Sequence, residues 1–275
     1  MSQAARDRSA LSHAARAFPT LLRVGFAEAI AYRGEFLIWI LSTNMPVIML
    51  FLWSAVAREQ PIGRFGQKEF GAYFLTTLMV RLITGSWVVW EMNYEIRQGT
   101  LARRLLRPLH PFFTYAAENL AAVPLRLLLC VPIAAASAAW LGTSQLSHHF
   151  LHWLMLPLAV VGGWAITFTT MCLIGTLGLY WESSLALMRL WFGLFFILSG
   201  YTIPLSLFPG WLHDVIVWLP FRFQLSLAVE IALGLTPPAR ALALLAVQWL
   251  YVGLLLGGSL LLWQRGLRRY AAFGG

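Results

Sequence analysis

EMNYEIRQGTLARRLLRPLHP, residues 91–111, is the densest basic stretch of the chain and lies between two long apolar runs. Arg97, Arg103, Arg104 and Arg107 fall within it. Basic loops stay on the cytoplasmic face of a membrane, so this segment orients everything around it. It also carries local signals. Gly99 is suited to stop one helix and Thr100 to cap the next. Residues 101–106 then make one or two helical turns, which Pro108 closes. Leu101 and Leu105 share a face at i, i+4, with Arg104 and Arg107 elsewhere around the turn. A short helix with an apolar knob and a basic collar suits docking into a groove on a soluble partner. An ordinary positive-inside loop has the same composition.

The composition around this stretch is that of a bilayer protein. Of 275 residues, 59% are hydrophobic and 11% charged, with mean hydropathy +0.71. Soluble domains carry roughly 25% charged residues. The net charge of +9 does not point to nucleic acid, because the arginines sit at the edges of apolar runs. Cys130 and Cys172 lie inside such runs and read as buried thiols. The first seventeen residues are polar and small, so no cleavable leader is expected.

Outward from the basic stretch, the pattern predicts an all-α polytopic membrane protein with six transmembrane helices. A tail, residues 1–18, precedes one transmembrane domain, 19–269, and a short end, 270–275. Residues 19–33 are amphipathic, with Leu22, Phe26 and Ile30 in one stripe, and are expected to lie in the inner interface. The spans are expected at about 36–57, 71–93, 120–141, 153–180, 185–207 and 241–263. Pro46 should bend the first span, and Asn44 needs a partner in a bundle. Arg126 is expected to snorkel from the inner end of the third. The fourth is longer than one crossing and must tilt, break near Gly162–Gly163 or project. Residues 208–234 hold two apolar pieces divided by Pro220, each too short to cross, and are read as a re-entrant helical pair before the last span. Thirteen Lys and Arg fall in the proposed inner segments and five in the outer ones, so both termini are placed inside.

Candidate chemistry is sparse. The one lysine, Lys68, is followed by Glu69, so the G-x-x-x-x-G-K-[ST] phosphate loop is lacking. His148, His149 and His152 have ligand-like spacing but no acidic neighbour in sequence, and no metal site is assigned. Asp214 beside His213 is no catalytic dyad by adjacency alone, and no catalytic residue is assigned. Trp39, Trp53, Trp87, Trp90, Trp140, Trp153, Tyr180 and Trp181 mark span ends, as an interfacial belt does. Arg81 lies near the middle of the second span, where a charge is expensive. It either faces a substrate path or subunit interface, or pairs with a carboxylate of a neighbouring span.

EIRQGTLARRLLRPLHP, then AVPLR at residues 122–126, LSGYTIPLSLFPGWL and WLPFRF together resemble the integral-membrane permease subunits of ABC-2-type ABC transporters. The resemblance covers about 19–269, and the group is a bacterial six-span branch often found as paired permeases. It implies an amphipathic connecting helix at 19–33, a coupling helix at 100–106 that docks on a separate ATPase, and re-entrant helices at 208–233. The coupling residues it implies are Glu95, Arg97, Gly99, Thr100, Leu101, Arg103, Arg104, Leu105, Arg107 and Pro108. A translocation path is expected at Arg81, Asn44 and Tyr201, and an outer gate at Pro204, Pro209, Trp211, Pro220 and Phe221. The implied assembly pairs two permease chains, alike or different, with two cytoplasmic ATPase subunits that hold ATP and Mg, this chain binding no cofactor. The expected setting is the bacterial inner membrane, and the expected role is export of amphipathic or lipophilic compounds. Two other readings stand beside it: a membrane-embedded enzyme acting on lipid or an isoprenoid carrier through Arg81, Asp214 and the histidines, and a scaffold subunit.

Overall fold

The computed structural model describes residues 17–27, 30–31, 44–181 and 184–273, and the regular elements among them are helical. In chain order these are α1 (Ala17–Ala27), α2 (Met45–Val56), α3 (Gln67–Thr84), α4 (Val88–Arg97), α5 (Leu101–Leu105), α6 (Pro111–Ala121), α7 (Val123–Leu141), α8 (Phe150–Thr176), α9 (Ser184–Leu198), α10 (Gly210–Ile216), α11 (Pro220–Gln224), α12 (Ser226–Ala232) and α13 (Pro238–Phe273). Among the described residues four stretches are long and apolar enough to cross a bilayer: Gln67–Arg97, Pro111–Leu141, Phe150–Leu179 and Pro238–Arg268. Helices α2 and α9 are apolar but shorter.

Helix α8 is the central post. It packs against α13 along much of its length and also against α3, α4, α11 and α12. It runs unbroken through Gly162 and Gly163, so of the three expected alternatives, a tilt, a break there or a projection, the break does not occur. These glycines serve close approach. A Cβ on Gly163 would lie 2.7 Å from the Gln224 carbonyl oxygen, and one on Gly162 2.5 Å from the Gln248 side chain.

The second membrane segment is broken where one continuous span is expected, and the third is broken beside Pro124, which with Pro132 is expected to bend it. Helix α3 stops at Thr84 and α4 resumes at Val88, while α6 gives way to α7 at Ala122, with Pro124 in the first turn of α7. Proline lacks the N–H that a continuous helix would use. The break after α3 strands carbonyls in an apolar interior, and Arg126 answers them. Its Nη1 donates to the carbonyl oxygens of Gly85 (2.8 Å), Leu82 (3.3 Å) and Ile83 (3.5 Å), and its guanidinium lies over the Trp87 ring. Arg126 is 1% exposed, so the snorkelling expectation fails. The carbonyls of a broken helix offer a nearer partner than the head groups do.

Helix α9 ends at Leu198, well short of the expected 207, because Gly200 turns the chain at φ +84 and its carbonyl accepts from the Tyr73 hydroxyl at 2.8 Å. Three short helices, α10 to α12, follow in place of the expected pair. Pro220 opens α11 as the divider, and a buried ion pair, Arg222 to Glu230 at 2.7 Å, holds α11 to α12. Pro46 sits in the first turn of α2, where it does not kink that helix. Residues 36–43 of the first span lie outside the described residues, as do 28–29 and 32–33 of the amphipathic stretch. Helix α1 turns Gly25 toward α6, where a Cβ would meet Ala121 Cβ at 2.8 Å, and leaves Phe26 exposed; Ile30, beyond its end, is exposed as well.

The chain has two distinct ends. One gathers α5, the turn after α8 and the last turns of α13: Tyr180 donates to the Leu262 carbonyl at 2.8 Å, and His110 and Phe112 pack on Trp263. The other joins Trp53 to the Thr202 carbonyl (2.9 Å), Gln145 to Glu69 (3.2 Å) and the Ser147 amide to the Ala232 carbonyl (2.9 Å).

Candidate functional site

The elbow between α4 and α6 is built around one arginine. Gly99 ends α4 in the left-handed region at φ +68, as its position suggested. Thr100 does not cap α5: its backbone is helical and its side chain makes no capping bond. The Arg104 guanidinium then reaches across all three helices. It donates through Nε to Glu95 of α4 at 2.8 and 2.9 Å, through Nη2 to Glu91 of α4, and through both Nη atoms to Glu118 of α6 at 2.8 and 3.0 Å. Thr114 accepts a further bond at 3.0 Å. The same cation lies 4.2 Å over the Tyr115 ring, and the Tyr115 hydroxyl donates to Glu95 at 2.6 Å. Burial works against the Arg104 charge, but Glu118, Glu91 and Glu95 outweigh it and hold the guanidinium above its ordinary value.

Arg104 is therefore no part of a basic collar offered outward, and Leu101 is no knob. Leu101 is fully buried with Met92, Phe112, Tyr115 and Trp263, and Leu105 is half-buried against the same cluster. The i, i+4 face exists, but it is the inward one. What α5 and its flank present outward is Leu106, 86% exposed, with Arg97, Arg103, Arg107 and Pro108 around it. Burial pushes the His110 imidazole below its ordinary value, in keeping with its Nδ1 accepting from the Phe112 amide at 3.2 Å.

Arg81 and Tyr201 come together, and Asn44 does not join them in any described contact. The Arg81 guanidinium lies 5.1 Å from the Phe195 ring centre with the Tyr201 hydroxyl beside it. Among the described residues no carboxylate pairs with Arg81. Asn44 is the exposed N-cap residue of α2, without a side-chain capping bond. Of the residues expected at an outer gate, Trp211 is exposed, while Phe221 is buried with its ring 4.4 Å from Trp191. Pro204 is buried before the turn Leu205–Leu207, Pro209 precedes α10, and Pro220 begins α11. A cavity of about 170 Å³ beneath them is lined by Arg64, Tyr73, Arg222, Glu230 and Arg240. His152 is buried and paired with Ser147, and no group of three or more His, Cys, Asp or Glu among the described residues is placed to hold a metal ion.

The sequence reading passed over Glu91, Glu118, Tyr115 and Gln224. Glu91 and Glu95 stand one turn apart in the flank of a basic loop, a legible acidic face. Glu118 needed the fold, since only the turn through α5 brings α6 beside α4.

A model of the family described as ABC-2 family transporter protein matches residues 41–274. The chain belongs to that family. Its members are the membrane components of ABC transporters, which work with an ATP-binding cassette ATPase, and four bilayer-length apolar helices make this a multi-pass membrane protein. A comparison with curated proteins finds no match.

Proposed function

We propose that this ABC-2 family protein is the permease subunit of an exporter of amphipathic or lipophilic compounds, driven by a separate ATPase that docks on α5. The observation that carries this reading is the Arg104 knot. A docking helix transmits force only if it is stiffly joined to what it must move. Arg104 binds α5 to both α4 and α6, and Leu101 pins it in the same apolar cluster.

The breaks above the knot supply the other half of a lever. The α3–α4 break and the α6–α7 break lie side by side, with the Ser86 hydroxyl donating to Asn119 Oδ1 at 2.7 Å. Below them α4, α5 and α6 form one block. Above them α3 and α7 follow as that block tilts. Arg126 keeps the α3 carbonyls satisfied, so the break does not depend on water entering.

In this reading six crossings are completed by α2 and α9, both termini are cytoplasmic in the bacterial inner membrane, and two permease chains work with two ATPase subunits that bind ATP and Mg. Arg81 and Tyr201 line the path, and α10 to α12 with Trp211 and Phe221 form the outer gate. The docked element must favour one ATPase state over another, or no coupling results. Leu106→Asp is therefore expected to leave the amount of protein in the membrane unchanged while abolishing stimulation of the partner's ATP hydrolysis by the permease. Reconstituted complex in which Leu106→Asp still stimulates hydrolysis normally disproves docking at this surface.

A further inference from the structure

Arg81 sits midway along the segment Gln67–Arg97, where a bare guanidinium is costly. Its described neighbours are an aromatic face and a hydroxyl, and neither cancels its charge. Opposite it stands Gln224, 2% exposed. Its Oε1 takes only the weak branch of a shared bond, since the Thr167 hydroxyl 3.4 Å away also donates to the Gly163 carbonyl oxygen at 2.9 Å. Among the described residues the Nε2 end has no hydrogen-bond partner. Leaving such a donor buried and unused is unfavourable by the full cost of stripping its water.

Both side chains line one small cavity with Thr167, Trp191, Phe192 and Met188. Its volume is about 10 Å³, room for a single water at most. The residues from Met188 to Phe195 that wall it all belong to α9, a short helix ended by the Gly200 turn.

We propose that this cavity, widened by outward movement of its α9 wall, is a binding site for amphipathic organic anions, the Arg81 guanidinium and Gln224 Nε2 taking a carboxylate or phosphate head and the α9 aromatic residues taking the apolar body. Arg81 repels cations, and a neutral apolar compound leaves both donors unanswered. The proposal rests on the transport reading above for its physiological sense, since it names the class of cargo. The binding itself requires no ATPase.

The test uses the purified full chain in phosphatidylcholine nanodiscs, with empty discs as the partition control. Fluorescence anisotropy compares pyrenebutyrate, pyrenebutanol and pyrenebutyl-trimethylammonium. The anion is expected to bind about tenfold or more tightly than either analogue, the scale of one buried charge-assisted hydrogen bond. Arg81→Gln is expected to remove that preference and Arg81→Lys to keep part of it. Gln224→Met, which retains volume and leaves Arg81 in place, is expected to weaken the anion alone. Adding an anionic phospholipid separates the sources. Competition assigns the site to lipid head groups, and persistence of probe binding assigns it to a non-lipid anion. Equal binding of all three probes, or an anion preference untouched in both Arg81→Gln and Gln224→Met, overturns the site. Leu106→Asp should bind the anion as the wild type does, so a failed coupling test leaves this result standing and a failed binding test leaves coupling standing.

Discussion

Arg104 and Arg81 carry the same charge in opposite circumstances. Arg104, at the cytoplasmic elbow of the transport reading, meets three carboxylates from two helices. Arg81, deep in the apolar part, meets a ring and a hydroxyl. Arg126 lies between these extremes, its Nη1 donating to backbone carbonyls. The contrast separates two uses of a cation. An arginine surrounded by carboxylates is a fastener, and its energy goes into holding helices together. An arginine without them, like Arg81, keeps a charge that no carboxylate among the described residues cancels.

The first way to break the comparison is to remove the fastener. Arg104→Met leaves three acids crowded and unpaired, and is expected to cost about 3–5 kcal/mol, the scale for orphaning one side of a buried pair. Unfolding in mild detergent, followed by loss of helical circular dichroism, reads this directly. Next comes Arg126→Met, which leaves the Leu82, Ile83 and Gly85 carbonyls without their donor. A loss of about 2–3 kcal/mol is expected in the same measurement. A negligible loss there would mean that the broken helix finds other donors. Glu118→Gln sharpens the comparison from the acid side. Three carboxylates around one cation leave surplus negative charge, so neutralising one of them is expected to change stability by about 1 kcal/mol or less.

The smallest expected effect is on pH. His110 is held neutral by burial, so its folded value lies below the unfolded 6.5. The unfolded chain then binds the extra proton on acidification. The contribution is whole above 6.5 and is lost as pH falls through the folded value. Midpoints of unfolding should drop slightly between neutral and mildly acidic pH, and His110→Asn should flatten that slope.

Much of the architecture was legible in residue order. Four of the six expected apolar runs of bilayer length, the stop at Gly99, the closure by Pro108 and the divider at Pro220 are local matters, and these appear where their chemistry put them. The errors share a form. Leu101 and Leu105 were rightly placed on one face, but which face was covered depended on α6 folding back. A break at Gly162–Gly163 is one of three ways to fit the long fourth span, and the pair is a contact instead, because the Gln224 carbonyl approaches Gly163 and the Gln248 side chain approaches Gly162.

By itself the sequence determined that this protein lives in a bilayer, lacks the nucleotide-binding loop, and carries a basic elbow with glycine at one end and proline at the other. Those features follow from solvation cost and backbone sterics, which act within a few residues. Only tertiary structure decided that Arg104 would be consumed inside the elbow, that Leu106 would be left outside, and that Arg126 would cap a helix broken in mid-membrane. Periodicity names the neighbours along a helix; what fills the space beside it is settled by segments far away in the chain.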